Sequence, residues 1–216
     1  MDAKGYYLMG EAELEKVKGL PVKPRLLMHS CCGPCNSFPI EYLSPYFQLT
    51  LYFNNHNIYP YEEFVRRFEE LKRYVEYFEK ENDVKIELIL PTYEDETFTK
   101  VLASRSDDRE GGQRCKMCYA MRMQEAFKYA SAHEFDYMTT VMTISRQKDS
   151  VAINKIAEQL QPQFPRVKYL YSNFKKNKGM DRSVQLSKIH NMYRQTYCGC
   201  IYSFEDMKNR KGVKEE

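Results

Sequence analysis

Apolar residues along this chain keep two rhythms that take turns. Short runs rich in aliphatic and aromatic residues recur as RLLMHS (25–30), QLTLYFN (48–54), VKIELIL (84–90), DYMTTVM (136–142) and RVKYLY (166–171). Each predicts a largely buried strand. Between them the apolar spacing lengthens to three and four residues. In YEEFVRRFEELKRYVEYFEKEN (61–82), Phe64, Phe68, Leu71, Val75 and Phe78 fall on one face of a helix. KMCYAMRMQEAFKYASAH (116–133) and SVAINKIAEQL (150–160) behave alike. The alternation predicts an α/β fold, a Rossmann-like parallel sheet with helices on both faces. No internal repeat or low-complexity linker interrupts it, so a single domain is expected over 1–216. Its C-terminal helical and basic segment, about 171–216, is expected to complete the active site. The lysine-rich end MKNRKGVKEE (207–216) predicts a frayed terminus.

In open sheets of this kind ligands sit beyond the carboxyl ends of the strands. HSCCGPC (29–35) occupies that place after the first strand. Gly33 and Pro34 predict a tight turn there, and thiols on a loop near a helix N-terminus are favoured as thiolates.

Composition then decides what the thiols mean. No stretch of about 18 consecutive apolar residues exists, so no membrane span is expected. The first residues, MDAKGYYLMGEAELEKVKGLPVK, lack the apolar core of a signal peptide. The expected location is the cytoplasm, a reducing compartment in which seven cysteines do not form a disulfide framework. Seven is odd, and the cysteines are clustered: Cys31, Cys32 and Cys35; Cys115 and Cys118; Cys198 and Cys200.

Cys115 and Cys118 form a C-x-x-C pair whose two sulfurs can reach one metal from a first helical turn, and Gly111 and Gly112 let backbone approach closely upstream. With Cys31 and Cys32 they supply four thiolates, the number that tetrahedral zinc or an iron–sulfur cluster requires. Cys35 is a fifth sulfur. Five exceed a closed zinc site, which favours iron–sulfur. Cys198 and Cys200, separated only by Gly199, read either as further ligands or as a small strained disulfide that is easily reduced. The second reading is favoured, because a reversible dithiol suits a two-electron reductase.

The net charge of +3 neither demands nor excludes a nucleic-acid partner. The stretch from Arg166 to Arg194 is nevertheless basic, with Tyr169, Tyr171, Phe174 and Tyr193 interleaved, a composition that can hold phosphates and stack on splayed bases. Arg105, Arg109, Arg114 and Arg122 flank the C-x-x-C and can extend such a surface. His29 reads as a satisfied strand-end histidine, and Asp149 or Ser150 as a helix N-cap. Asp107, Asp108, Glu110 and Asp149 are carboxylates available as hard ligands or proton donors.

HSCCGPC, EGGQRCKMC, TTVMTISRQKD and SVQLSKIHNMYRQTYCGCIYS, in this order, closely resemble the cobalamin-independent epoxyqueuosine reductases. NNHNIYPYEEFVRR is a partial match to a further family stretch, and DDREGGQRC carries Arg109 where the family lead-in has proline. The resemblance implies the fold of adenine nucleotide alpha hydrolases. It also implies reduction of epoxyqueuosine to queuosine in the anticodon loop of tRNA, with loss of the epoxide oxygen. Carried over by residue, Cys31, Cys32, Cys115 and Cys118 are expected to hold a 4Fe-4S cluster and Cys198 with Cys200 to be the redox-active pair. For the reaction itself, the epoxide is expected on cluster iron or on an additional, neighbouring iron ion held partly by Cys35 and a carboxylate, and an external electron donor is expected to reset the disulfide. CCGPC stands where nucleotide-binding relatives cradle phosphate, so no ATP is expected. Two alternatives use the same residues: an ATP-dependent tRNA sulfur-transfer enzyme, and a zinc-stabilised RNA-binding module without catalysis.

Overall fold

The structure, a computed structural model, describes residues 1–212. Asp2 opens the first helix, α1 (Ala3–Val17), by accepting a 2.8 Å hydrogen bond from the Gly5 amide. The first strand, β1 (Arg25–His29), leads through α2 (Gly33–Leu43) to β2 (Gln48–Tyr52), and α3 (Tyr61–Asn82) leads on to β3 (Glu87–Ile89). A short helix, α4 (Asp95–Leu102), precedes α5 (Gln113–Ala132), β4 (Tyr137–Thr140), α6 (Ser150–Leu160) and β5 (Lys168–Tyr169); α7 (Gly179–Ile189) and α8 (Ile201–Gly212) end the chain.

All five strands are parallel, in the order β3-β2-β1-β4-β5. Side chains of β1 alternate between two apolar layers, as the period of two requires. Leu26 and Met28 pack with α2 and α3 on one face; Leu27 packs with α5 and α6 on the other. The Rossmann-like α/β reading therefore holds, and the helix over 61–82 and the helix over 150–160 match the periodicity residue for residue. The strands are shorter than their apolar runs. β4 stops because the Thr140 hydroxyl accepts from the Met142 amide and starts a tight helical turn over 141–144. β3 and β5 are the sheet edges and pair on one side only.

Two expectations need correction. Gly33 and Pro34 do not form a turn; they are the first residues of α2, where proline has no amide bond to lose. The C-terminal end is not frayed through Gly212, because α8 extends that far; 213–216 lie outside the described residues.

α7 docks on α2. Ser183 Oγ donates to the Pro34 carbonyl at 2.7 Å, and Arg182 forks onto Glu41 at 2.8 and 2.7 Å. The approach needs glycine at 179, since a Cβ there would lie 2.3 Å from the Phe174 carbonyl oxygen and 2.4 Å from the Phe38 ring. Gly179→Ala is expected to destabilise the protein by about 1–3 kcal/mol through overpacking. Denaturant unfolding checks this.

Candidate active site

The strand order turns back between β1 and β4, and the crevice of such a sheet opens beyond their carboxyl ends. On the β1 side, Ser30, Cys31 and Cys32 run directly into α2, with Cys32 as its extended N-cap residue. Side-chain amides lace this corner together. Asn36 donates to the Cys32 carbonyl and accepts from Ser30 Oγ, and Asn55 donates to the Ser30 carbonyl, all at 2.7 Å. So held, the sulfurs of Cys31, Cys32 and Cys35 lie within 4.8 Å of one another.

The three thiols are electrostatically unequal. Hydrogen bonds from Cys32 and Cys35 hold Cys31 well below the ordinary thiol value against the opposing effect of burial, and the charges of Lys148 and Arg122 act in the same direction. Burial pushes Cys32 up to about 12, and hydrogen bonding to Cys31 raises Cys35. Gln195 donates to Cys32 Sγ at 3.2 Å.

The C-x-x-C pair lies on α5. Gly111 takes a left-handed φ of 86°, which turns its amide onto Cys115 Sγ at 3.2 Å. Cys118 sits nearly one turn further on, and burial pushes it up to about 12. The charges of Cys198 and Cys200 bear on both Cys115 and Cys118. That of Cys198 also bears on Lys148, as do those of Cys31 and Cys35. All three cysteine clusters thus converge at one end of the sheet, although Cys115 and Cys118 do not join the tight trio. All seven cysteines are free.

The C-G-C loop is clamped from α3. Arg67, 2% exposed, donates from its two terminal nitrogens to the carbonyls of Cys198 and Tyr197 at 2.9 and 3.2 Å, while its Nε donates to Glu63 at 2.7 Å. The Gly199 carbonyl accepts from the Tyr59 amide at 2.7 Å. Gly199 has a φ of 139°, and a Cβ there would press on Arg67 at 3.0 Å. No other residue type fits between these thiols without strain.

A cleft of about 550 Å³ opens beside the sulfurs, walled by Cys35, Cys198, Lys148, Arg146, Arg194 and Met180 among others. Its size suits one nucleoside. Other expected contributors are elsewhere. Arg114 and Arg122 are 4% and 2% exposed, so they are interior cations and offer no phosphate-binding surface. Lys168 pairs with Glu13 and Arg182 with Glu41, while Tyr169 and Phe174 belong to the core, so much of the basic stretch is structural. His29 is fully buried between Thr140 Oγ1 (2.8 Å) and the Asn54 carbonyl (3.1 Å), and Asp149 caps α6.

Comparison with known proteins follows the sulfurs. Residues 26–206 match the family model described as Epoxyqueuosine reductase QueH. The chain belongs to the QueH family. Proteins named Epoxyqueuosine reductase QueH from Staphylococcus aureus and Staphylococcus epidermidis are 35% and 36% identical over 198 and 183 residues. These alignments cover 91% and 84% of this chain and 80% and 76% of the relatives. The same-named protein of Streptococcus pyogenes is 35% identical over 182 residues, 84% of this chain and 71% of the relative. The stretch shared with QueH proteins takes in all seven cysteines.

Arg67, Lys148, Gln195, Asn54 and Asn55 of this QueH chain lie inside the quoted motifs, but local spacing assigns none of them a role. Arg67 is hidden in a helix whose charges read as a solvated face. Lys148 is one lysine in a loop, without periodicity, and only the tertiary fold places it among sulfurs.

Proposed function

We propose that this chain reduces epoxyqueuosine in tRNA to queuosine in the cytoplasm, as one domain whose segment 171–216 completes the active site. The match to a named reductase family over residues 26–206 carries the reading. It leaves the sulfur-transfer and zinc-module alternatives without support. No helix among the described residues is long and apolar enough to cross a membrane.

The chemistry needs two electrons and two protons. As the Cys198 and Cys200 thiols join in a disulfide they release both, and two carbon–oxygen bonds of the epoxide break. The carbons keep the electrons as an alkene, and the oxygen leaves as water. An external reductant then returns the disulfide to the dithiol. The cleft beside Cys198 admits a base splayed from the single-stranded anticodon loop.

Cys31, Cys32, Cys115 and Cys118 are the proposed holders of a 4Fe-4S cluster, and Cys35 is the sulfur left for an additional iron ion. Four thiolates are the donor count that such a cluster takes. The interior cation beside Cys118, Arg122, pairs with no carboxylate among the described residues. Buried positive charge of this kind calls for an anionic partner, and a thiolate-ligated cluster is one. When bound, such a cluster supplies electron transfer and a Lewis-acidic iron.

The deciding experiment is anaerobic incubation with epoxyqueuosine-containing tRNA and a chemical reductant, with nucleosides read by mass spectrometry. Queuosine is the expected product, and its absence rejects the reading. The protein purified without air is expected to be brown, and Cys118→Ser is expected to lose both colour and iron. A colourless parent containing zinc rejects the cluster.

A further inference from the structure

We propose that Lys148 is a catalytic residue, its ammonium the hydrogen-bond donor that receives the epoxide oxygen in the cleft. The inference rests on the reductase reading above and names the residue that would handle the oxygen.

Lys148 is 9% exposed, in the loop after β4 and facing the sulfur-bearing loop after β1 across the turning point of the sheet. Buried lysines are ordinarily paired. This one makes no ion pair, and its ammonium has no hydrogen-bond partner among the described residues. Yet it is not an orphan sealed in the core, because its residue lines the cleft with Cys35 and Cys198. Its position is built. Lys175 Nζ donates to the carbonyls of Lys148 and Ser145 at 2.9 and 3.2 Å, the Lys148 amide donates to Ser145, and Asp149 is fixed as the cap of α6.

The same placement suits the reaction. Breaking carbon–oxygen bonds gathers negative charge on oxygen, and a donor fixed in a partly dry cleft stabilises that charge without reorganising. The two thiols provide both protons of the departing water, so Lys148 ends the cycle as it began. It lines the same cleft as Cys198, the thiol proposed to give electrons.

The test compares Lys148→Met, Lys148→Arg and Lys148→Ala in the iron-loaded, full-length protein with epoxyqueuosine tRNA. Lys148→Met is expected to lower kcat by about 10²- to 10³-fold while KM stays within about threefold. Iron content and visible absorption are expected to match the parent. Lys148→Arg is expected to recover part of the rate, and added ethylammonium to rescue Lys148→Ala in a concentration-dependent manner. A kcat for Lys148→Met near that of the parent overturns the proposal alone. Loss of iron in all three variants also overturns it, because the lysine then serves the sulfurs as counter-charge. A parent that forms no queuosine sinks the reductase reading and this role together.

Discussion

Cys198→Ser and Cys200→Ser are each expected to lower queuosine formation by about 10³-fold or more and to leave iron content unchanged. Serine preserves the size of the side chain and the backbone of the loop, so the clamp from Arg67 to the Tyr197 and Cys198 carbonyls survives. What it removes is the capacity to form a sulfur–sulfur bond, and with it the two electrons. The two positions differ in surroundings. Cys198 lines the cleft, whereas Cys200 is held against Ser203, their side-chain atoms 3.4 Å apart, with its thiol raised chiefly by burial. In the proposed reaction Cys198 would be the thiol that faces substrate, and Cys200 the one that closes the disulfide behind it. The measurement is nucleoside mass spectrometry under anaerobic single-turnover conditions, beside iron analysis of the same samples. Full turnover by Cys198→Ser with a chemical reductant would show that electrons bypass the pair. Loss of iron in either variant would make these cysteines ligands.

The fold was largely legible because its signals are local. The spacing of Phe64, Phe68, Leu71, Val75 and Phe78 specifies one helix face, and that helix spans the expected residues. The cysteine clusters were legible for the same reason, since their short spacings restrict what they can do together. The long-range features were hidden. Arg114 and Arg122 sit among the polar residues of α5 and look solvent-facing, but the helix packs so that both are interior. Tyr169 and Phe174 looked available for stacking on bases, but they fall on the edge strand and the loop that close the core. Gly33 and Pro34 misled because the same pair that breaks a strand also opens a helix, and only the residues that follow decide between the two.

Arg67→Met is expected to destabilise the protein by about 3–5 kcal/mol, because it removes one partner of a buried charge pair and leaves the other uncompensated. The guanidinium engages three different partners: Glu63 through Nε, and the carbonyls of Tyr197 and Cys198 through its terminal nitrogens. It also lies over the Tyr197 ring at 5.1 Å. Methionine fills the volume but satisfies none of these groups. Glu63 keeps only the Tyr193 hydroxyl, at 2.8 and 3.0 Å to its two oxygens. The C-G-C loop loses its hold on α3 at the residue beside Gly199. Arg67→Lys keeps the charge but not the planar fork, so the ammonium can serve Glu63 or the carbonyls and not all three. An intermediate loss is expected there. Glu63→Gln retains an acceptor for Tyr193 and for Arg67 and is expected to be the mildest of the three. Denaturant unfolding gives the stability order, and queuosine formation below the unfolding midpoint gives the effect on the thiols. Because α3 carries no cysteine, a reduced rate in folded Arg67→Lys with full iron content identifies the loop's placement as the quantity that changed. An Arg67→Met protein within about 1 kcal/mol of the parent and equally active would show that the loop is held by the Tyr59 amide and its own turn.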